Sequence, residues 1–344
     1  MAERSGSVTI KEVAQLAGVS IATVSRVLNH QHTVTPATRK RVVEAMQSLD
    51  YSRNEVARSL KTRKTRTIGI IAPELYNTFF MEMVVTMEKI LATKGYSMII
   101  GSSNDSVAEE QKKLQIFSER SVDGLVVIPA GAEGDHFNCK ALTSIPLVLV
   151  DRKIGGLQAD TVLVDNRYGV RKMIQALHAE GFTRIGYIGG EPTVYTAQER
   201  LEGFRVAMEE FDLPVEEQFL LLGKAMNQQA GRDLMQKALS YPNPPQAFFT
   251  ANDLLHVGAT TYALESLSSE KSKDLVIASF DHLSYAPLLK LCHYAVAQPM
   301  ERIGEEVITL LLKRLSGDWE GFPEQVMLRP EIKILTAHGG RPFS

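Results

Sequence analysis

The chain has 344 residues, of which 44% are hydrophobic, enough to bury substantial cores in two or three folded units. Its apolar runs, such as IGII at 68–71, are far shorter than the roughly 18 residues of a membrane helix, and its beginning lacks a secretory-signal pattern. Because Cys139 and Cys292 are too few for a disulfide framework or a zinc cluster, we expect a soluble cytoplasmic protein without a metal site or cofactor.

The net charge of −2 conceals a basic beginning and an acidic remainder. Residues 1–66 hold twelve lysines and arginines against five acids, giving +7, so the other 278 residues carry −9. A basic head on an acidic body is typical of a polyanion-binding module joined to a regulatory domain. The charge alone does not exclude the alternative that these basic residues form a face that contacts only solvent.

The first helix is predicted to begin just after Thr9, because Thr9 and Glu12 have the spacing of a capping box. Gly18, which tolerates positive φ, ends this helix. The predicted apolar face of the helix consists of Val13, Leu16 and Ala17.

Two more helices follow closely. Ser20 caps a second helix that runs through Leu28, and Thr35 with Pro36 begins a third that runs through Leu49. Two short helices separated by a tight glycine turn, followed by a third, form the helix-turn-helix arrangement. The second helix of that arrangement lies in the major groove of DNA.

The second helix has two different faces. Its packing face consists of Val24, Val27 and Leu28, and its other face consists of Ile21, Ala22, Ser25, Arg26 and Asn29. Arg26 can pair with guanine O6 and N7, whereas Ile21 and Ala22 suit thymine methyl groups. The alternative is an ordinary three-helix bundle with a solvated Arg26, which leaves the exposed small residues and the +7 charge unexplained.

The segments VTIKEVAQLAGVSIATVSRVLN and VTPATRKRVVEAMQSLDY resemble the DNA-binding head of the lactose and galactose repressor family over nearly every position from Val8 to Tyr51. The resemblance implies binding to double-stranded operator DNA, with base contacts from Ile21, Ala22 and Arg26. It implies phosphate contacts from Thr9, Ser20, Ser25, Asn29, Thr35 and Thr38.

Residues 51–66 form a basic linker in which Val56, Ala57 and Leu60 share a helical face and Asn54 can start a turn. A helix this short needs DNA and its twin from a second subunit for stability. In the family this hinge inserts a leucine into the minor groove, and the resemblance assigns that role to Leu60. The predicted DNA contacts of the hinge are therefore Asn54, Ala57 and Leu60. Where the family usually has a proline, this chain has Arg53, so the backbone entering the hinge is less fixed.

From Thr67 onward, strand-like apolar runs alternate with helical stretches, which indicates βαβ units and parallel sheets. The runs are TIGIIAP, SMIIGS, GLVVIPA and PLVLVD, and then RIGYIGG, FLLLG, AFFTAND and VIASFD. Two doubly wound parallel-sheet subdomains would form a ligand cleft at the carboxyl ends of their strands. The predicted divisions are 1–50 for an all-α head, 51–66 for the hinge, 67–164 with 296–324 for an amino-terminal subdomain, 165–295 with 325–336 for a carboxy-terminal subdomain, and 337–344 for a tail.

Aromatic and polar side chains follow the ends of these runs, as a polyhydroxylated ligand requires. Singly they have plainer explanations, with Phe79 and Phe80 as core residues and Asp151 and Asp281 as helix caps. The body also resembles the periplasmic sugar-binding fold that the repressor family carries as its sensor, in YNTFFMEM, VDR, TAND and FDHLS. The resemblance implies effector contacts from Asn77, Phe79, Phe80, Arg152, Arg200, Asn252, Asp281 and Gln298. It implies a sugar effector, and the two arginines leave open a sugar acid.

These features predict a sequence-specific transcription regulator, namely a sugar-responsive repressor of carbohydrate-utilisation genes. The alternative is a catabolite-type regulator of the same family whose corepressor is a partner protein. An enzyme is disfavoured because the chain has no G-x-S-x-G, P-loop or H-E-x-x-H motif. The short polar tail after Ile334 favours a homodimer, which matches two-fold reading of a palindrome.

Overall fold

The computed structural model describes residues 8–28, 34–51, 64–139, 142–268, 274–281 and 294–335. The chain divides into two compact units at Thr65 and Arg66. We call them the head and the sensor and describe each by itself. Within the described ranges, no helix is long and apolar enough to cross a membrane.

The described part of the head contains helices α1 (Ile10–Leu16), α2 (Ile21–Leu28) and α3 (Pro36–Ser48). Thr9 and Glu12 form the predicted capping box, with the Thr9 amide donating to Glu12 Oε2 at 2.7 Å. Gly18 has a φ of +64°, the left-handed conformation that ends α1 at little steric cost. The predicted helix starts and the turn are therefore confirmed.

One valine from each helix meets in the core of the head: Val13, Val24 and Val42 are fully buried. The face predicted for α1 is wrong at Leu16, which is 56% exposed. Ala14 is buried in its place, because a rotation of about 100° per residue turns Ala14 towards Val13 and Ala17 and turns Leu16 away.

The sensor contains two sheets, and each has six strands among the described residues. The strands of the first sheet are β1 (Thr67–Ala72), β2 (Ser97–Ser102), β3 (Gly124–Val127), β4 (Leu147–Val150), β5 (Asp160–Val164) and β11 (Gln325–Leu328). They pair in the order β11-β5-β4-β3-β1-β2, and all the pairs are parallel. The helices of this subdomain are α4 (Thr78–Thr93), α5 (Val107–Glu119) and α10 (Met300–Leu315).

The second sheet follows the same plan. Its strands are β6 (Ile185–Gly190), β7 (Leu220–Gly223), β8 (Ala247–Thr250), β9 (Val276–Phe280), β10 (Tyr294–Ala297) and β12 (Glu331–Ile334), paired in the order β12-β10-β9-β8-β6-β7. Only β12 runs antiparallel to its neighbour among these described strands. The helices of this second subdomain are α6 (Asn166–Ala179), α7 (Tyr195–Glu210), α8 (Gln228–Ser240) and α9 (Asp253–Ser266).

Both faces of the first sheet are covered. Ile68 and Ile70 face a core formed with α4 and α10, whereas Ile71 faces a second core formed with α5. Successive side chains of a strand point to opposite faces, so a strand covered on both sides is apolar throughout. This explains why the continuous run IGII correctly indicated a doubly wound parallel sheet.

The predicted subdomain boundaries need two corrections. The division between 295 and 296 falls inside β10, which lies wholly in the second sheet. Residues 325–328 form β11 and pair with β5, so they belong to the amino-terminal subdomain. The chain crosses between subdomains after β5, after β10 and between β11 and β12. The late strands are short and only partly buried, so their hydrophobic pattern gave no sign of which sheet each one joins.

Glycines allow α8 and α9 to pack closely. A Cβ atom at Gly231 would collide with the backbone carbonyl of Leu255, and one at Gly258 would collide with that of Gln228. This contact fixes the beginning of α9, where Asn252 and Asp253 lie at the carboxyl end of β8.

Candidate functional site

The exposed face of α2 carries the residues predicted to contact bases. Ile21 is 44% exposed, Ala22 and Arg26 are exposed, and Ser25 is half-buried. Val24 and Val27 on the opposite face are buried in the core. The division of α2 into a packing face and a solvent-facing surface is therefore confirmed, while its contact with DNA stays a prediction.

The residues predicted to contact phosphates lie mainly at helix starts. Thr9 and Thr35 cap α1 and α3, and Ser20 Oγ accepts from the Thr23 amide at 3.2 Å at the start of α2. Thr38 donates its amide to Thr35 Oγ1 at 3.3 Å. These side chains have structural roles, and the same helix starts present backbone N–H groups of the kind that bind phosphate. Asn29, Asn54, Ala57 and Leu60, together with Arg53, lie outside the described residues.

A cavity of about 370 Å³ lies between the two sensor subdomains, at the carboxyl ends of their strands. Residues from both subdomains line it, as expected for a ligand cleft of a doubly wound fold. Of the predicted effector contacts, the cavity is lined by Asn77, Phe79, Phe80, Arg152, Arg200, Asn252 and Asp281. Gln298 is not among the lining residues; it lies behind Asp281 and donates Nε2 to Asp281 Oδ1 at 2.6 Å.

Several of these residues also hold the fold together. Asn77 caps α4, and Asn252 caps α9 while donating Nδ2 to the Met226 carbonyl at 3.0 Å. Phe80 is 6% exposed and belongs to the core of the first subdomain, whereas Phe79 is half-buried and meets Phe80 edge to face. The plainer explanation, a core residue, therefore holds in part for Phe80.

Arg200 is the centre of a buried polar cluster. Its Nε donates to Asn166 Oδ1 at 2.7 Å, and its Nη1 donates to the Ala251 carbonyl at 2.6 Å. Nη1 also lies 3.6 Å from Asp281 Oδ2, and the guanidinium carbon lies 3.8 Å from the centre of the Phe280 ring. The guanidinium is thus fixed in one orientation, and Nη2 is its one nitrogen without a hydrogen-bond partner among the described residues.

Asp151 and Asp281 occupy equivalent positions in the two subdomains. Each follows a strand and has a left-handed backbone, with φ of +62° and +75°. Their amides donate to the carbonyls of Val162 and Val296, each at 3.0 Å. A non-glycine residue in this conformation costs on the order of 1 kcal/mol, and such strain concentrates at functional sites. The conformation directs one carboxylate from each subdomain towards the cavity, and no helix begins at Asp151 as the plainer explanation required.

Burial and repulsion between carboxylates raise the pKa of two aspartates that line the cleft. Burial raises the pKa of Asp281 to about 7, although the positive charge of Arg200 opposes the shift. Burial also raises the pKa of Asp253, and the charge of Glu74 from the other subdomain adds to that shift. Like charges from the two sides of the cleft therefore interact before any ligand binds.

Arg152 is held by an ion pair with the exposed Asp105. Its Nη1 donates to Asp105 Oδ1 at 2.6 Å and to the Pro129 carbonyl at 2.9 Å. The loop after β3 is fixed in turn by the fully buried Glu110, which accepts from the Ala130 amide at 2.9 Å and lies 2.6 Å from His136 Nε2. Burial raises the pKa of Glu110.

The sequence pattern missed several residues of the site. Asn166 orients Arg200, and its only signal was its position after a strand, β5, that the pattern did not single out. Asp253 followed a recognised run but was not assigned a contact, although it lines the cavity. Glu74, Asn104, Glu191 and Lys224 line it from loops that carry no periodic pattern.

The comparisons with known proteins cover both units. Residues 9–54 match "Bacterial regulatory proteins, lacI family", and residues 65–320 match "Periplasmic binding proteins and sugar binding domain of LacI family". The HTH-type transcriptional repressor PurR of Pasteurella multocida (strain Pm70) is 32% identical over 331 residues, which are 95% of this chain and 97% of the relative.

Two solved structures extend the comparison. The transcriptional regulator CelR in complex with cellobiose is 26% identical with a TM-score of 0.69, over 95% of this chain and 98% of CelR. The Lac repressor dimer bound to operator and an anti-inducer has the same fold, with 21% identity and a TM-score of 0.82 over 96% of this chain and 100% of that chain.

These similarities confirm the predicted family and fold class. The similar proteins are DNA-binding transcription regulators and not enzymes, as the lack of catalytic motifs indicated. The sensor match alone spans more than half of the 344 residues, and the PurR relative matches nearly the whole chain. The chain belongs to the LacI family of bacterial transcriptional regulators, with a helix-turn-helix head and a sugar-binding type of sensor domain.

Proposed function

We propose that this protein represses carbohydrate-utilisation genes by binding a palindromic operator as a homodimer under the control of a small sugar effector. The observation that carries the proposal is the sensor cavity of about 370 Å³, lined by seven of the eight residues predicted to contact an effector. Its volume is in the range of small-molecule sites, and it combines aromatic rings with fixed polar groups. CelR, a relative by structure, was solved with cellobiose.

The proposed DNA contacts combine the exposed face of α2 with the hinge. Ile21, Ala22 and Arg26 would read base edges, and the helix starts at Thr9, Ser20 and Thr35 would meet phosphates. Leu60, together with Asn54 and Ala57, is proposed from the sequence resemblance as the minor-groove contact of the hinge. An effector controls such a protein only if it binds the DNA-competent and DNA-incompetent states with different affinities.

Titration of sugars into the full-length protein, with and without operator DNA, tests the proposal. Calorimetry should show heat for at least one sugar, and that sugar should change operator affinity measured by fluorescence anisotropy. The operator can be found by selection from random duplexes. Operator binding that no sugar or sugar acid alters, with no heat from any of them, would contradict the effector part. That result would favour the alternative in which a partner protein is the corepressor.

Effector affinity is expected to rise with pH between 6 and 8. Ligand hydroxyls donate to an ionised carboxylate, and Asp281 has a pKa of about 7 before the ligand binds. The affinity should therefore increase about 10-fold over this range, as the ionised fraction does. The Asp281→Asn variant should bind more weakly and without pH dependence.

The free energy of unfolding of the effector-free protein should instead fall as the pH rises. Because the folded pKa of Asp281 lies above the ordinary value of 3.8, its contribution to folding is present below that value and is lost as the pH rises through about 7. Thermal unfolding without effector should show this loss in the native protein and not in Asp281→Asn. An effector affinity that stays constant from pH 6 to pH 8 would contradict this role of Asp281.

A further inference from the structure

The lining of the sensor cavity contains more acids than bases. Among its described residues, the carboxylates are Glu74, Asp105, Asp151, Glu191, Asp253 and Asp281, and the cations are Arg152, Arg200 and Lys224. Both subdomains contribute acids, so closing the cleft brings like charges towards each other. A ligand that carries its own negative charge would add to this repulsion.

Both arginines of the cavity already have aspartate partners. Arg200 is 4% exposed, and Asp281 lies 3.6 Å from its Nη1. Arg152 forms a 2.6 Å ion pair with Asp105. An arginine binds a carboxylate most strongly through two parallel hydrogen bonds from its fork. Here the fork of Arg200 is occupied on Nε and Nη1 by Asn166 and Ala251, which leaves one nitrogen for a ligand.

One buried acceptor and one buried donor of the described cavity lining have no hydrogen-bond partner. Among the described residues that line the cavity, Asp151 Oδ1 and Arg152 Nε are buried and have none. Asp151 is only 8% exposed. Buried polar groups normally find partners, so one unpaired acceptor and one unpaired donor require a ligand group that both donates and accepts hydrogen bonds. Hydroxyl groups do so, whereas carboxylate and phosphate oxygens only accept.

We propose that the cleft selects an uncharged polyhydroxylated ligand and that its excess of carboxylates excludes sugar acids and sugar phosphates. The inference rests on the proposed function in taking the cleft as the effector site. Asp253 and Asp151 set this selectivity, because Asp253 forms no ion pair among the described residues and Asp151, 3.9 Å from Arg152 Nε, shares that arginine with Asp105. Arg152 and Arg200 then serve as internal partners of aspartates. The two arginines also donate hydrogen bonds to neutral hydroxyls. A ligand anion about 5 Å from one such carboxylate would lose on the order of 100-fold in affinity.

Matched pairs of ligands test this selectivity on the full-length protein. Calorimetry would compare D-glucose with D-glucuronate, D-galactose with D-galacturonate, D-ribose with ribose 5-phosphate, and cellobiose with cellobionate. At least one neutral member should bind, and it should bind about 100-fold or more tightly than its anionic partner. An anionic member that binds more tightly than its neutral partner would overturn the charge selectivity and leave sugar sensing intact.

Asp253→Asn removes one charge while keeping the shape of the side chain and its acceptor for the Leu254 amide. The ratio of neutral to anionic affinity should fall about 10-fold in this variant. Glu209→Gln is the matched control, because Glu209 is exposed at the end of α7 and does not line the cavity. Its ratio should equal that of the native protein. A ratio that is unchanged in Asp253→Asn would overturn the role of Asp253.

Thermal unfolding gives a measurement that needs no ligand. Removing a charge from a repulsive buried cluster should raise the Tm of Asp253→Asn by about 2 °C, whereas Glu209→Gln should not change it. If no sugar binds, the proposed effector function fails, and the Tm comparison still decides whether the cleft holds excess negative charge. A Tm of Asp253→Asn that equals or falls below that of Glu209→Gln would overturn the inference.

Discussion

Replacing Arg200 by alanine is expected to lower effector affinity by about 100-fold or more, because hydrogen bonds to a charged group each contribute about 1.5–3 kcal/mol. Operator binding without effector should remain, since the head is a separate compact unit. The variant should therefore bind operator and no longer respond to the sugar. Anisotropy titrations with and without the effector would measure both properties on one sample.

In this experiment, a loss of folding stability must be distinguished from a loss of effector binding. Arg200 and Asp281 are both buried, and removing one partner of a buried ion pair costs about 3–5 kcal/mol of stability. The double variant Arg200→Met with Asp281→Asn removes both charges and should recover most of that stability. It should still fail to bind the effector, because the Arg200 Nη2 donor and the Asp281 carboxylate are both missing.

Two further variants sharpen the result. Arg200→Lys keeps the charge but loses the planar fork that meets Asn166 and Ala251, so its response should also be strongly reduced. Arg171→Ala removes an exposed arginine paired with Glu210 on the same subdomain and should respond normally. A full response in Arg200→Ala, or its recovery in the double variant, would remove Arg200 from direct effector binding.

The sequence predicted the sensor site well wherever a residue follows a strand with a strong apolar pattern. Phe79, Arg152 and Asp281 each follow such a run, and the parallel arrangement brings the ends of these runs to one edge of each sheet. Period-2 and period-3.6 patterns report burial, so they locate strands, helices and therefore strand ends.

What the sequence did not predict depends on contacts between distant segments. Nothing local to Asn166 shows that it orients Arg200, which lies 34 positions away. Asp253 has an ordinary place in the first turn of a helix, and its raised pKa arises from burial in the folded sensor. The aspartate partners of both arginines likewise appear only in the structure, so the sequence left a sugar acid open. Short strands such as β11 and β12 have too few buried positions for their pattern to reveal the sheet they join.

Replacing Arg26 by alanine is expected to lower operator affinity by about 100-fold or more and to relax base preference at one position in each half-site. A bidentate arginine–guanine contact is worth about 1–3 kcal/mol, and the proposed dimer makes it twice. Arg26 is exposed on α2 beside the exposed Ile21 and Ala22, and the buried Val24 and Val27 hold the opposite face in the core. Truncating its side chain should therefore leave the fold of the head unchanged.

Lys40→Ala is the matched control for charge. Lys40 lies on α3, where its side chain is 78% exposed and, among the described residues, pairs only with Glu44 at 3.9 Å. Losing its positive charge should weaken binding to operator and to unrelated DNA by the same factor, because attraction to phosphates carries no sequence information. Arg26→Ala should instead weaken operator binding much more than binding to unrelated DNA. Selection from duplexes randomised at each operator position would show whether only Arg26→Ala changes base preference. Equal losses on both DNAs in Arg26→Ala, with unchanged base preference, would mean that Arg26 contacts only the phosphate backbone and that α2 reads sequence through other residues.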